Sequence, residues 1–507
     1  MVRRLIIKQP TPWMCSTTDY ESPAQPFDTI DYFLPFDSTY PISIEHLMLG
    51  RLEKRWREPG GYRQLLIVAI PLVLSMGSHS ILIFVDRVFL ARYSADALAA
   101  AQPAGMLNFS ILCFFLGVSL YTSTFVAQYT GAKKPEKVGP SVWQGIYIAV
   151  IGGLTLPLFA PFADEIFALI GHTPEVQKNE ATFFSILNLG AFFFLANGAF
   201  SCFYSGRGKS WTIVWMNLSM TVINIVLDYV LIFGKFGFPE MGIAGAAIAT
   251  LASSATIMFA YAGLICSKRN NERFQTRTNW HFNKPLFQRM IRFGTPSGVH
   301  FFLDVMGFTI FVLLIGRIGM VELAASNIVL NINILSLLPM IGLGTATSIM
   351  VGQFQGAQNS GLAVKTTYSA LHIAVIHSSI MAILYWLIPD VLISPFIHEA
   401  SGGNLPELEE TSIKLLRFFI VIVFFDSLII MSGGALKGSG DTKFVMTTLA
   451  VTSIFLLVIP SYLLIEVFHK PVTYAWISVV ANFGIVGVVF FLRFRSGKWH
   501  KIDVIER

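Results

Sequence analysis

The sequence predicts an all-α polytopic membrane protein of twelve transmembrane helices arranged as two parallel six-helix repeats, and three observations carry that prediction. Residues are 54% hydrophobic and 13% charged with a mean hydropathy of +0.63, and the apolar residues come in runs of about twenty, enough helix to cross ~30 Å of hydrocarbon. The second half repeats the first. Pro71 matches Pro296, Leu98-Ala99-Ala100 matches Leu323-Ala324-Ala325, and the run Val126-Ala127-Gln128 to Ala132 matches Val351-Gly352-Gln353 to Ala357, always 225 residues on (351 less 126). Gly206-Arg207-Gly208-Lys209 echoes Gly438-Ser439-Gly440-Asp441 at 232 residues (438 less 206), so a whole half is duplicated with a small insertion. The acids within the apolar runs break this repeat: Asp86 falls opposite Phe311, Asp304 opposite His79 and Asp228 opposite Pro460. A duplicated scaffold carrying unduplicated charges points to a transport role.

In chain order the expected spans are 64–90, 103–127, 141–162, 181–204, 211–233, 242–266, 290–315, 327–351, 365–388, 413–436, 443–466 and 472–493. The first sixty residues are polar and Pro-containing, with no early apolar core next to a cleavage site, so no removable signal peptide is expected. Basic residues cluster before the first span (Arg51 to Arg63), after the second (Lys133, Lys134, Lys137), after the fourth (Arg207, Lys209), in the middle loop, after the tenth (Lys437, Lys443) and after the last. Those loops are therefore cytoplasmic, as are both termini. The opposite loops carry Asp164, Glu165, Glu175, Glu180, Asp390, Glu399 and Glu407 with fewer cations.

The resulting organisation is a cytoplasmic N-terminal segment (1–62), an N-lobe (63–266), a basic cytoplasmic linker (267–289), a C-lobe (290–495) and a cytoplasmic tail (496–507). Six spans per half is an even number, so both halves enter the membrane the same way up and are related by an axis along its normal, enclosing a central cleft. The linker reads either as a tether between moving lobes or as an ordinary basic loop. Net charge of +6 is accounted for by membrane topology, so no nucleic-acid partner is expected. Four cysteines, Cys15, Cys113, Cys202 and Cys266, are scattered singly and suggest neither disulfides nor a metal cluster.

Asn224 and Asp228, four apart, share one helix face and offer a carboxylate beside an amide oxygen, a site for a hard cation or a proton. Asp86 lies about 20 residues and Asp228 about 17 into their spans, which at ~1.5 Å per residue brings both to a similar depth in the outer half. Two approaching carboxylates repel, and a proton or Na⁺ relieves the repulsion. The alternative is that Asp86 pairs with its neighbour Arg87 and that Asn224 and Asp228 are a structural pair. Asp304 and Asp426 sit centrally in the seventh and tenth spans. His300, one turn before Asp304, either relays protons or holds that carboxylate in place. Asn108 and Asn333, like Gln128 and Gln353, are duplicated at 225 and are expected to make helix-to-helix hydrogen bonds. Gly208-Lys209-Ser210 is no phosphate loop, because Phe203 stands where a Walker motif needs glycine.

Phe84-Val85-Asp86-Arg87, Asn224 to Gly234 followed by Gly237-Phe238-Pro239 and Gly242 to Thr250, and Gly434-Ala435-Leu436-Lys437-Gly438-Ser439-Gly440-Asp441-Thr442 together resemble the multidrug and toxic compound extrusion (MATE) family, NorM-like, over residues 63 to 495. The resemblance implies a V-shaped two-lobe antiporter in the bacterial cytoplasmic membrane, expelling bulky organic cations in exchange for Na⁺ or H⁺, with no cofactor and no enzymatic activity. It implies coupling at Asp86, Asn224, Asp228, Asp304 and Asp426, with Na⁺ held by the first three, and Thr250 and His300 in support. Asp304 stands where the NorM-like branch commonly has Glu, and Ile422 where an aromatic hydroxyl would help hold a cation, which counts against sodium in the C-lobe. Met76, Tyr229, Phe301, Phe302 and Met306, neighbours of the acids, are candidate substrate contacts. A monomer whose partners are small organic cations and the lipid bilayer is expected. A lipid-linked precursor flippase of the same superfamily is the alternative; it would line its cleft with cations to meet phosphate.

Overall fold

The computed structural model describes residues 53–397 and 405–506. Most of the expected N-terminal segment, including Arg51 and Cys15, and Glu399 lie outside the described residues. The spans are α1 (Tyr62–Tyr93), α2 (Ala95–Gly131), α3 (Pro135–Ala168), α4 (Pro174–Leu189 with Ala191–Ser205, bent by 46°), α5 (Trp211–Ile232), α6 (Gly242–Ile265), α7 (Lys284–Ile315), α8 (Met320–Gly356), α9 (Ser360–Leu387), α10 (Leu405–Ser439), α11 (Thr442–Val467) and α12 (Val472–Arg495). Eleven are long and apolar enough to cross a membrane, twelve when the bent pair counts as one span, and no strand occurs among the described residues.

Local chemistry sets the ends and bends. Ser94, Asn283 and Asn359 accept backbone N–H bonds from Ala97, Leu286 and Leu362 at 3.4, 3.1 and 3.1 Å, capping α2, α7 and α9. The repeat-related Gly208 and Gly440 turn the chain at φ +72° and +103°, where a side chain would be strained. Pro460 sits in the middle of α11 and cannot supply the N–H that an α-helix needs. The helix there widens into two π-helical stretches, Ser453–Val458 and Leu463–Val467. The first-half counterpart, α5, carries Asp228 at the equivalent position and is an unbroken α-helix.

Helices α1–α6 and α7–α12 form two lobes joined at one end only. A single apolar core containing Leu65, Phe125, Phe203, Met290, Ile349 and Met431 draws on both halves at the end that bears the basic loops. At the opposite end each half has its own core: Leu90, Phe167 and Ile243 in the first, Phe311, Phe419 and Trp476 in the second. This division makes the V. At the joined end α1 and α2 pack on α8, and α2 on α7. Small residues permit the approach: a Cβ on Gly117 would lie 2.8 Å from Gly298 Cα, and one on Gly131 would lie 1.8 Å from Gln353 O.

The linker is not a free tether. Trp143 Nε1 donates to Thr276 O at 2.6 Å, Tyr147 OH to Trp280 O at 2.8 Å, and Asn283 N to Gln144 Oε1 at 3.2 Å, so the segment is docked on α3 of the first lobe. The described segment before α1 crosses over instead. Residues before α1 and its first residue reach α9 of the second lobe, where Glu58 pairs with Lys365, Ser369 Oγ donates to Gly60 O at 3.1 Å, and Tyr62 OH bonds His372 Nδ1 at 2.9 Å. The tail after α12 touches both lobes, Gln355 Nε2 donating to His500 O at 2.9 Å and Arg289 Nη1 to Val504 O at 3.4 Å from the second, and Lys134 Nζ to Glu506 O at 3.2 Å from the first. Trp499, in a core of second-lobe residues with Leu436 and Phe490, and Val504 are fully buried.

Candidate functional site

Helices α1, α5 and α6 build a polar cluster inside the first lobe. Asn224 and Asp228, one turn apart on α5, are both fully buried; α1 brings Asp86, and α6 brings Thr250. Asn224 Nδ2 donates to Thr250 Oγ1 at 3.4 Å, which fixes the amide and leaves Asn224 Oδ1 with no donor. Both carboxylate oxygens of Asp228 and Oδ1 of Asp86 are also buried without a donor. Asp86 is near enough to act electrostatically on Asp228. Its neighbour Arg87 acts on it electrostatically, but that guanidinium is hydrogen-bonded to Gln102 and forms no ion pair with Asp86.

Four buried oxygens without a donor are unusual, since more than nine in ten buried polar groups find a partner. All four are hard acceptors, so the set fits a proton or a small hard cation such as Na⁺, and it lacks the soft ligands that a transition metal would select. No geometry of coordination follows from this.

Between the lobes lies a cavity of about 1430 Å³, and the acids of the second lobe face it. Asp304 on α7 and Asp426 on α10 both line it, as do His300 and, across on α1, His79, the repeat counterpart of Asp304. His300 and Asp304 share a face of α7, as their spacing predicts, yet no hydrogen bond joins them. Asp86, Asn224 and Asp228 do not line the cavity. The expected set of coupling residues is therefore two groups, one enclosed in the first lobe and one on the cleft wall of the second.

Three expectations are corrected. Of the candidate substrate contacts only Met76 and Phe301 line the cleft. Tyr229 is 46% exposed and packs at a tilt against Phe89 and Phe233 on the side of the first lobe. Phe302 and Met306 lie off the cleft face of α7, which Ser297, His300, Phe301, Asp304 and Phe308 define at helical spacing. The duplicated amides divide: Gln128 and Gln353 bond across the seam, whereas Asn108 Nδ2 and Asn333 Oδ1 are buried without partners, being one methylene shorter. Lys437, expected in a loop, lies inside α10 and lines the cavity. Gly438 and Gly440 suggest a helix end in the sequence, and Gly440 does turn the chain, at φ +103°. Gly434 and Gly438 serve packing instead: a Cβ on Gly434 would lie 2.5 Å from Gly344 O and one on Gly438 2.2 Å from Ser348 O.

Two pseudo-symmetric helical lobes, fused at one end and parted by a cleft with charged walls, define a two-lobed membrane transporter. The MatE family model matches the chain twice, over residues 71–230 and 296–463, and the two matches begin 225 residues apart. This chain belongs to the MatE family. It is 25% identical over 456 residues to "Probable multidrug resistance protein NorM" of Thermotoga maritima, covering 88% of this chain and 94% of that protein. A protein of the same name from Brucella suis is 28% identical over 483 residues, covering 92% and 98%. Among solved structures, an outward-facing multidrug resistance MATE family transporter of the MOP superfamily superposes with a TM-score of 0.79 at 20% identity, covering 89% of this chain and 99% of that one. A MOP superfamily transporter from Pyrococcus furiosus gives 0.78 at 20% identity, covering 88% and 97%. At that identity the likeness concerns the fold.

Proposed function

We propose that this protein exports organic molecules, organic cations among them, in exchange for Na⁺ or H⁺, by rocking its two lobes about the joined end. The observation that carries the coupling is the set of donorless buried oxygens on Asp86, Asn224 and Asp228. Leaving such a group buried and unpaired costs about 1–3 kcal/mol, and more when it is charged. A bound cation or proton removes that cost, and its loss restores it, so the first lobe prefers different packings in the two states. The NorM relatives support the efflux reading, and they favour it over the flippase alternative.

With the basic loops placed in the cytoplasm of a bacterial inner membrane, the joined end is the inner end and the cleft opens outward. In this state substrate leaves and the coupling ion enters. One charge moving down 100 mV supplies ~2.3 kcal/mol, and each tenfold concentration ratio supplies ~1.4 kcal/mol. A tenfold inward gradient with that potential is enough for an uphill ratio of several hundred at one-to-one exchange of a neutral substrate. A monovalent cationic substrate cancels the electrical part and needs a second ion for the same ratio.

Vesicles containing the full chain but no ATP test this reading. Ethidium movement is expected to stop when one of the two gradients, proton or sodium, is collapsed, and to persist when the other is. Transport indifferent to both would sink the proposal.

A further inference from the structure

The chain after α12 lies directly beneath the joined end. Gly131, closing α2 of the first lobe, and Gly356, closing α8 of the second, pack there on the backbone of Gln353 and Gln128. The same two helix ends hold the tail. Gln355, next to Gly356, donates from Nε2 to His500 O at 2.9 Å, and Lys134, just past Gly131, donates from Nζ to Glu506 O at 3.2 Å. Residues 500–506 therefore span the seam from one lobe to the other.

The two lobes grip it unequally. On the second lobe Trp499 is fully buried among Leu436, Phe490 and Phe494, stacks on Phe494 with ring centroids 5.6 Å apart, and donates from Nε1 to Phe494 O at 2.8 Å. Gly440 turns so closely over the tail that a Cβ there would collide with Val504. Arg289, at the foot of α7, donates from Nη1 to Val504 O at 3.4 Å and pairs through Nε with the Glu506 carboxylate at 3.5 Å. The first lobe contributes the Lys134 bond, near the very end of the tail. Between anchor and end, the buried side chains of Val504 and Ile505 enter the core that both lobes share.

A core drawn from both lobes must divide when the basic end opens, and side chains that fill it from below then have to leave one of them. Trp499 sits in a core made by the second lobe alone, which a rigid rocking motion leaves intact. We propose that residues 503–506 are a releasable latch on the inner gate: Val504 and Ile505 hold the basic end shut, and whenever it opens the segment leaves the first lobe while Trp499 keeps it on the second. Burying two branched aliphatic side chains stabilises the shut arrangement by more than a pair of neutral hydrogen bonds does. The inference rests on the rocking motion of the efflux reading, and it assigns the tail a part in that motion.

Reversible cross-linking of the full chain in vesicles tests it. A short bis-methanethiosulfonate joins Lys134→Cys to Glu506→Cys, tying the tail to the first lobe, or Gln355→Cys to His500→Cys, tying it to the second; the wild type treated alike controls for the native cysteines. The first link is expected to cut ethidium efflux at least tenfold, with recovery on reduction, and the second to leave it within about twofold. Spin labels at positions 137 and 443 give a readout independent of transport: in the double variant Val504→Ala, Ile505→Ala the longer distance is expected to gain at least tenfold in population over the shorter. Links that inhibit equally or not at all, or distances unchanged in the double variant, would each overturn the latch. Distances that respond as expected in a chain that moves no ethidium would count against the efflux reading alone.

Discussion

Gln128 and Gln353 occupy equivalent places in the two halves and reach across the seam in opposite directions, Gln128 Nε2 to Gly438 O at 3.0 Å and Gln353 Nε2 to Gly206 O at 2.8 Å. The acceptors are themselves repeat-related. A twofold pair of side-chain to backbone bonds thus closes the joined end, and both must break whenever that end opens.

A neutral hydrogen bond contributes about 1 kcal/mol net, which is roughly fivefold in a two-state equilibrium. Gln128→Ala and Gln353→Ala are each expected to shift the lobes by about that factor towards the arrangement open at the basic end. The symmetry requires similar effects from both. Spin labels on the exposed Lys137 and Lys443 positions would report it as a longer second distance; a response to only one variant would contradict the paired closure.

Gly131 and Gly356 lie beside the same two glutamines, and a Cβ there would come within 1.8 Å of Gln353 O and 2.0 Å of Gln128 O. Backbone on both sides cannot yield, so Gly131→Val should hold this end apart. The same pair of labels is expected to show the long distance alone, with efflux below a tenth of wild type. Wild-type distances in this variant would mean that the seam tolerates more separation than the packing implies.

Asp228→Asn keeps the shape of a fully buried side chain and removes its capacity for charge. Its expected outcome is loss of ion-coupled ethidium efflux to the level of protein-free vesicles, with expression intact and thermal stability equal or higher, because a donorless carboxylate no longer has to be buried. Undiminished export would remove this residue from the coupling site.

The tail adds a pH dependence. Burial holds the His500 imidazole below its ordinary value, so the docked tail favours the neutral ring. The stabilisation is present above about pH 6.5 and is lost as pH falls through the lowered value. Hydrogen exchange at residues 498–506 is expected to be slow at pH 8 and faster at pH 5 after correction for intrinsic rates, and His500→Gln should flatten that difference. Glu58, held below the usual carboxylate range by its hydrogen bond to Lys365, keeps the opposite strap closed over the same window.

Much of this architecture was legible in the sequence, because hydrophobic runs fix spans and the 225-residue repeat fixes their pairing. The buried acids were legible too, since charge within an apolar run stands out. Which side of a helix meets the cleft was less so. Lipid and protein interior are both apolar, so Phe301 and Phe302 look alike until α7 is packed. Lys437 was hidden by its glycines, which mark a turn at Gly440 but close helix packing at Gly434 and Gly438. Asn108 and Gln128 show the limit of the repeat itself: duplication predicts equivalent places, while side-chain length decides which amide reaches a partner.

The crossed strap has a bearing on how the gene could be divided. The strap before α1 is held by the second lobe, the tail after α12 bridges Gln355 and Arg289 of the second lobe and Lys134 of the first, and the connecting segment is docked on α3 of the first. Covalent continuity through 267–289 is then redundant once the halves have met. Two polypeptides, one ending and the other starting within that loop, should assemble into a working unit when made together, and trimming the crossed strap before α1 should weaken their union more than cutting the loop does.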